Sequence, residues 1–226
     1  MVNIIILSII LVIIIGVLIY FIVNRKKLKI KLLEEEASKG NPETLLALGL
    51  MLYSGVKIDV DKEKGAEYIK KAAEAGNAQA QYLYSGIILG AANEKELTNE
   101  QLREAAMWIE KSAEGGFLTA MTTLANMYAE GKILPKNVKK AQYYFMQAAM
   151  RGDMQSQVTV AGYNHFSIDG NKLEAYAWYK TAESYGSEYA KETAEKLYSE
   201  LSDEDKVKAH NMADEYIIKY GKAILN

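Results

Sequence analysis

The sequence predicts an all-α chain, an α-solenoid of two-helix repeats preceded by one transmembrane helix. Two observations predict it. Glycines recur in similar helix-forming surroundings at Gly40, Gly76, Gly116, Gly152 and Gly186, at intervals of 36, 40, 36 and 34 residues. A self-similar period of this size marks a helical repeat array. Ahead of the repeats, residues 4–23 (IIILSIILVIIIGVLIYFIV) form a run of 20 residues without a charge.

Residues 1–24 are the expected transmembrane anchor. Seventeen of the 20 residues in the run are Ile, Leu, Val or Phe. Their summed insertion free energy is about −5 to −10 kcal/mol, and 20 residues of helix match the hydrocarbon thickness of a bilayer. A cleaved signal peptide would need a basic start, a shorter apolar core and a small-residue cleavage site; MVN carries no basic side chain and YFIVNRKK contains no A-x-A. No cysteine follows the core, which excludes a lipoprotein. RKKLKIK (residues 25–31) places five positive charges after the run and none precede it. The positive-inside rule then keeps that side in the cytoplasm. The expected localisation is a single-pass protein of a bacterial inner membrane with a cytoplasmic repeat domain. Residues 25–36 form a basic-then-acidic juxtamembrane helix with no breaker before Gly40, so the anchor helix is expected to run directly into the repeats.

Residues 37–201 hold about four repeats, whose positions are counted from each glycine. Eleven residues before it stand Gly65, Ala105, Ala141 and Ala175, all small; eight before it, Tyr68, Trp108, Tyr144 and Trp178, all aromatic. Seven before it come Ile69, Ile109, Phe145 and Tyr179, and four before it Ala72, Ser112, Ala148 and Ala182. These spacings put all four positions on one helical stripe, and alternating small and large residues lets neighbouring helices interlock. After the glycine, Gly49, Ser85, Ala125 and Ala161 stand nine residues on, and Leu52, Ile88, Tyr128 and Asn164 twelve on. Asn164 departs from the apolar stripe. Each period glycine is expected to cap a helix C-terminus with φ > 0, and Gly55, Gly90 and Gly131 to end the first helix of each pair.

The stretches ALGLMLYSGVKIDVDKEKGAEYIKKAAEAGN and TLANMYAEGKILPKNVKKAQYYFMQAAMRGD resemble Sel-one-like repeats (SLR), a subclass of the tetratricopeptide family, and EAYAWYKTAESYG resembles a last unit. The resemblance rests on a leucine-small pair, an aromatic near the end of helix A and A-x-x-[WY] in helix B. It covers roughly residues 37–220. Two segments depart from it: the long loop AANEKELTNE (residues 91–100), and GYNHFSIDG (residues 162–170), which lacks the usual Leu and Tyr. Residues 202–226 are the expected C-terminal capping helix, opened by Ser202 and an acidic first turn.

Composition removes most chemistry. The chain of 226 residues has no cysteine and a net charge of −2, so disulfides, thiolate nucleophiles and zinc-thiolate sites are out, and no overall field steers nucleic acid. His165 and His210 lie in different repeats, with neither further ligands nor a base partner in view. There is no G-x-x-x-x-G-K-[ST] loop and no G-x-S-x-G elbow. The expectation is a chain that is not an enzyme, with no catalytic residues, cofactor, metal or small-molecule substrate.

The resemblance implies that the outward residues of each helix A line a concave groove, at three, six, seven, ten and thirteen residues after the glycine. The candidate partner-binding residues are Glu43, Leu46, Leu50, Tyr53, Gln79, Tyr82, Thr119, Thr122, Asn126 and Gln155. Of all twenty such positions only Glu43 is charged, as suits a neutral or apolar protein segment. The competing reading is that neighbouring repeats cover some of them. The function implied is a membrane-anchored scaffold or adaptor that holds a protein partner in this groove. The alternatives are an envelope-facing (periplasmic) binding or immunity-type protein and, less favoured, an envelope hydrolase.

Overall fold

The computed structural model describes residues 2–56, 58–90 and 97–222. The side chains of residues 2–10, 12, 22–24, 26, 27 and 29 lie outside that description. The described residues form eleven α-helices in two compact units, Met1–Ala91 and Ala92–Asn226. The division falls in the long 91–100 segment that departs from the repeat pattern.

In the first unit, α1 (Val2–Ser38) is a single helix, as the lack of a breaker implied. Its end packs on α2 (Pro42–Ser54), and α3 (Lys62–Glu74) packs on both α2 and α4 (Ala78–Gly90). Asn41 caps α2 by accepting from Thr44 N, with Pro42 in the first turn. Asp61 caps α3 in the same way from Lys64 N.

The expected membrane anchor is not supported. Among the described residues no helix is long and apolar enough to cross a membrane. This overturns the single-pass localisation and the cytoplasmic orientation built on it. The described exposed stretch of this region is Leu11 and residues 13–21, about half of the roughly 20 residues a span requires. The rest of the 4–23 run, and Lys26, Lys27 and Lys29 of the basic flank, have side chains outside the description.

The second unit contains α5 (Asn99–Glu114), α6 (Leu118–Glu130), α7 (Val138–Ala149), α8 (Met154–Phe166), α9 (Lys172–Ser184), α10 (Glu188–Ser199) and α11 (Asp203–Tyr220). Successive helices from α5 to α10 pack on one another, and α11 packs on α9. Thr98 and Gln101 form a reciprocal capping box on α5. Ser202 caps α11 ahead of three acidic residues, as its sequence predicts.

The five period glycines all adopt left-handed backbone, with φ between 80° and 97°, and each closes a helix where a Cβ would be strained. Gly55 and Gly131 are left-handed caps of α2 and α6, whereas Gly90 is the last residue of α4 itself. The small-large stripe is the core. Ile69, Ala72, Ala105, Ile109, Ala141, Ala148, Ala175, Trp178, Tyr179 and Ala182 are all buried. Two buried glutamines tie turns together. Gln81 Nε2 donates to Ala73 O at 3.1 Å, and Gln157 Nε2 donates to Ala149 O and Tyr220 O, both at 3.1 Å.

Burial pushes the Tyr179 and Tyr216 phenols up to about 12. An acid whose folded pKa is raised favours its neutral form in the fold. The associated stability is therefore fully present below the unfolded value near 10 and is lost as pH rises from about 10 towards 12. The urea midpoint should fall between pH 8 and pH 11, and the fall should shrink in Tyr216→Phe. An equal fall in that variant would show that Tyr216 is not responsible.

Candidate functional site

Counted from the glycines, α2, α4, α6 and α8 are the first helices of their pairs and carry the predicted groove positions. In the first unit, Glu43 and Leu50 of α2 are exposed, Tyr53 is half-buried and Leu46 is buried at 6 %. Leu46 is a packing residue of α2, which packs on both α1 and α3. On α4, Gln79 is exposed and Tyr82 half-buried.

In the second unit, Thr119 and Asn126 of α6 and Gln155 of α8 are exposed, and Thr122 is half-buried. α6 and α8 pack on α7. The threonine hydroxyls are turned onto their own helices. Thr122 Oγ1 donates to Thr119 O at 3.0 Å, Thr123 Oγ1 to Thr119 O at 2.8 Å, and Thr159 Oγ1 to Gln155 O at 2.8 Å. A hydroxyl that already donates inward offers an incoming group an acceptor and a methyl, but no charge. Thr123 and Asn126 also line a shallow pocket of about 270 Å³ with Met127, Glu130, Lys132 and Ile133.

The ionisable groups between neighbouring helices follow the repeat. Lys64 of α3 pairs with Glu34 of α1 at 3.0 Å. Two periods along, Lys140 of α7 lies 3.9 Å from Glu110 of α5. Lys64 and Lys140 both stand twelve residues before a period glycine, and Glu34 and Glu110 both stand six before one. Tyr128 of α6 joins the second pair. Its hydroxyl donates to Glu110 Oε1 at 3.1 Å and accepts from Lys140 Nζ at 3.0 Å, with that ammonium 4.8 Å from its ring centre. Tyr144 stacks on Tyr128 at 6.2 Å.

Sequence reasoning missed a cavity in the second unit. It has a volume of about 710 Å³ and lies between α7, α8 and the turn into α9. At its edge Phe166 and Ile168 are 73 % and 104 % exposed. The signal that could have found it is Asn164, the polar residue at a position where Leu52, Ile88 and Tyr128 are buried. Nearby, His165 stacks on Phe166 at 4.2 Å and meets Tyr179 edge-on. Burial, followed by opposing effects of Glu200 and Lys172, holds its imidazole below the usual range. Among the described residues no group of three or more His, Asp or Glu side chains could hold a metal ion.

Family models match both units. One describing plant tetratrico peptide repeats matches residues 25–114, and the Sel1 repeat matches residues 119–153 and 164–184. An uncharacterised protein of Neisseria meningitidis serogroup B is 29% identical over 118 residues, covering 52% of this chain and 23% of that protein. The chain therefore spans less than a quarter of the curated relative it matches. Among solved structures, a Sel1 repeat protein from Oxalobacter formigenes is similar with a TM-score of 0.60 at 22% identity, over 84% of this chain and 79% of that one. A protective antigen of uropathogenic Escherichia coli, described as displaying an SLR fold, is similar with a TM-score of 0.53 at 22% identity. That match covers 85% of this chain and 49% of the antigen. These likenesses show the fold: an all-helical solenoid of SLR repeats.

Proposed function

We propose that the chain is a scaffold or adaptor that binds a protein partner on the uncharged faces of its first-of-pair helices. A fold of stacked helix pairs supports binding by an extended face rather than by a catalytic cleft. The observation that carries the reading is the face of α6 and α8. Thr119, Thr122, Asn126 and Gln155 are exposed or half-buried there, and none of them is ionisable. In the first unit Leu50, Tyr53 and Tyr82 offer apolar and aromatic groups, Gln79 an amide and Glu43 a carboxylate. Aromatic anchors of this kind tend to dominate binding, at about 2 kcal/mol or more on truncation. A face without charge also implies weak dependence on salt.

The test is a triple variant of the full chain, Thr122→Lys with Asn126→Lys and Gln155→Lys. Partners cross-linked in the source cells would be identified and quantified against the parent. Their recovery should fall tenfold or more while helicity by circular dichroism stays unchanged. A control with the same chemistry on α7 and its C-cap, Tyr143→Lys with Met150→Lys, should keep them. Leu50→Ala with Tyr82→Ala examines the first unit; Leu46 is unsuitable because truncating it opens a core cavity. Equal losses in the α7 control, or no loss in the triple variant, would remove the reading.

A further inference from the structure

We propose that the cavity between α7, α8 and the α8–α9 turn is a second docking site, which takes a lysine or arginine side chain, together with an adjoining apolar side chain, from a segment of a partner protein. The repeat itself shows what the cavity fits. One repeat earlier the corresponding place is filled from within the chain: Tyr128 occupies it, Lys140 lies against the tyrosine ring and hydroxyl, and Glu110 faces both. In the fourth repeat the equivalents of those three residues are Asn164, Glu174 and Met146. All three line the cavity.

Each exchange alters what the place can hold. Tyr128 to Asn164 removes the ring that filled it. Among the described residues the Asn164 side chain bonds only along its own helix, from Nδ2 to Val160 O at 3.3 Å. Lys140 to Glu174 replaces the cation with a carboxylate, and Asp169 adds another, while among the described residues no lysine or arginine lines the cavity. The Tyr216 hydroxyl lies near Glu174 and brings no charge. Met146, Phe166 and Ile168 provide apolar surface around the carboxylates. A cation placed beside a carboxylate and flanked by an apolar or aromatic group restores what Lys140 and Tyr128 provide one repeat earlier. The volume of about 710 Å³ is within the usual range of about 300–1,000 Å³ for binding pockets. This site shares no residue with the α6–α8 face and stands or falls separately from it.

The experiment titrates three fluorescein-labelled peptides against the full chain by fluorescence anisotropy: Gly-Tyr-Lys-Tyr-Gly, the same peptide with glutamate for lysine, and Gly-Ser-Lys-Ser-Gly. Saturable binding is expected for the first alone. Asn164→Tyr, which refills the cavity as in the preceding repeat, should weaken it tenfold or more. Asp169→Asn with Glu174→Gln should weaken it at least fivefold and reduce its salt dependence. Ile168→Lys, at a fully exposed position, removes apolar surface and opposes the incoming cation; it should also weaken binding tenfold and serves where the filled variant does not fold. Thr122→Lys on the other face should leave it unchanged. The proposal is overturned if the first peptide does not bind saturably, if the glutamate or the serine peptide binds as well, if Asp169→Asn with Glu174→Gln binds like the parent, or if both Asn164→Tyr and Ile168→Lys bind like the parent.

Discussion

Trp178→Ala should destabilise the second unit by about 3–5 kcal/mol, the range for removing a large aromatic from a core. The indole is 1 % exposed. It lies edge-on to Tyr216 at 4.9 Å and stacks on Tyr220 at 5.2 Å, so it is the group that α11 covers. Truncation removes its own burial and also the surface against which two tyrosines of the last helix rest. Tyr220 is tied in elsewhere: its carbonyl accepts from Gln157 Nε2 and from the Tyr185 hydroxyl, each at 3.1 Å. The loss should therefore spread from α9 to α11 and on to the α7–α8 turn. Urea unfolding gives the magnitude, and hydrogen exchange should show α11 losing protection first. A variant whose midpoint stays near that of the parent would mean that the last helix does not depend on this contact.

Trp178 also shows how far a periodic sequence can be read. Its burial fits the eight-before position, as does that of Trp108, which is 7 % exposed, whereas Tyr68 and Tyr144 at the same position are half-buried. The five left-handed glycines and the small-large stripe are legible for the same reason: a repeat states each packing rule several times. What counting from a glycine cannot see is which neighbour covers a position. Leu46, Tyr82 and Thr122 share one register, yet Leu46 is buried and the others are half-buried. The anchor rests on hydropathy alone, and the described residues do not bear it out. The cavity at Asn164 is visible in the sequence as a departure from the stripe. Its carboxylate lining is not, because that requires knowing that residues twelve after one glycine and twelve before the next meet.

Gly65→Ala should destabilise the first unit by at least about 2 kcal/mol, against the trend for glycine within helices. In an open helical position the same change stabilises by about 0.5–1 kcal/mol, because alanine loses less backbone freedom on folding. At Gly65 a Cβ would lie 2.6 Å from Tyr53 N and 2.8 Å from Tyr53 Cα, both backbone atoms that no rotamer can move. The partner surface is another glycine: a Cβ on Gly49 would lie 2.9 Å from Ile69 N and 3.0 Å from Gly65 O. α2 and α3 thus meet backbone to backbone. The other three repeats carry alanine at the Gly65 position, as Ala105, Ala141 and Ala175, so this pair alone needs glycine there. Accommodating the methyl means separating the two helices, and overpacking of this kind costs about 1–3 kcal/mol or more. Gly86→Ala is the internal control. It lies in α4, and a Cβ added there would meet nothing within 4 Å, so the substitution should raise the urea midpoint. Opposite signs for the two substitutions would establish close approach as the cause, whereas stabilisation by Gly65→Ala would mean that α2 and α3 are farther apart than the structure places them.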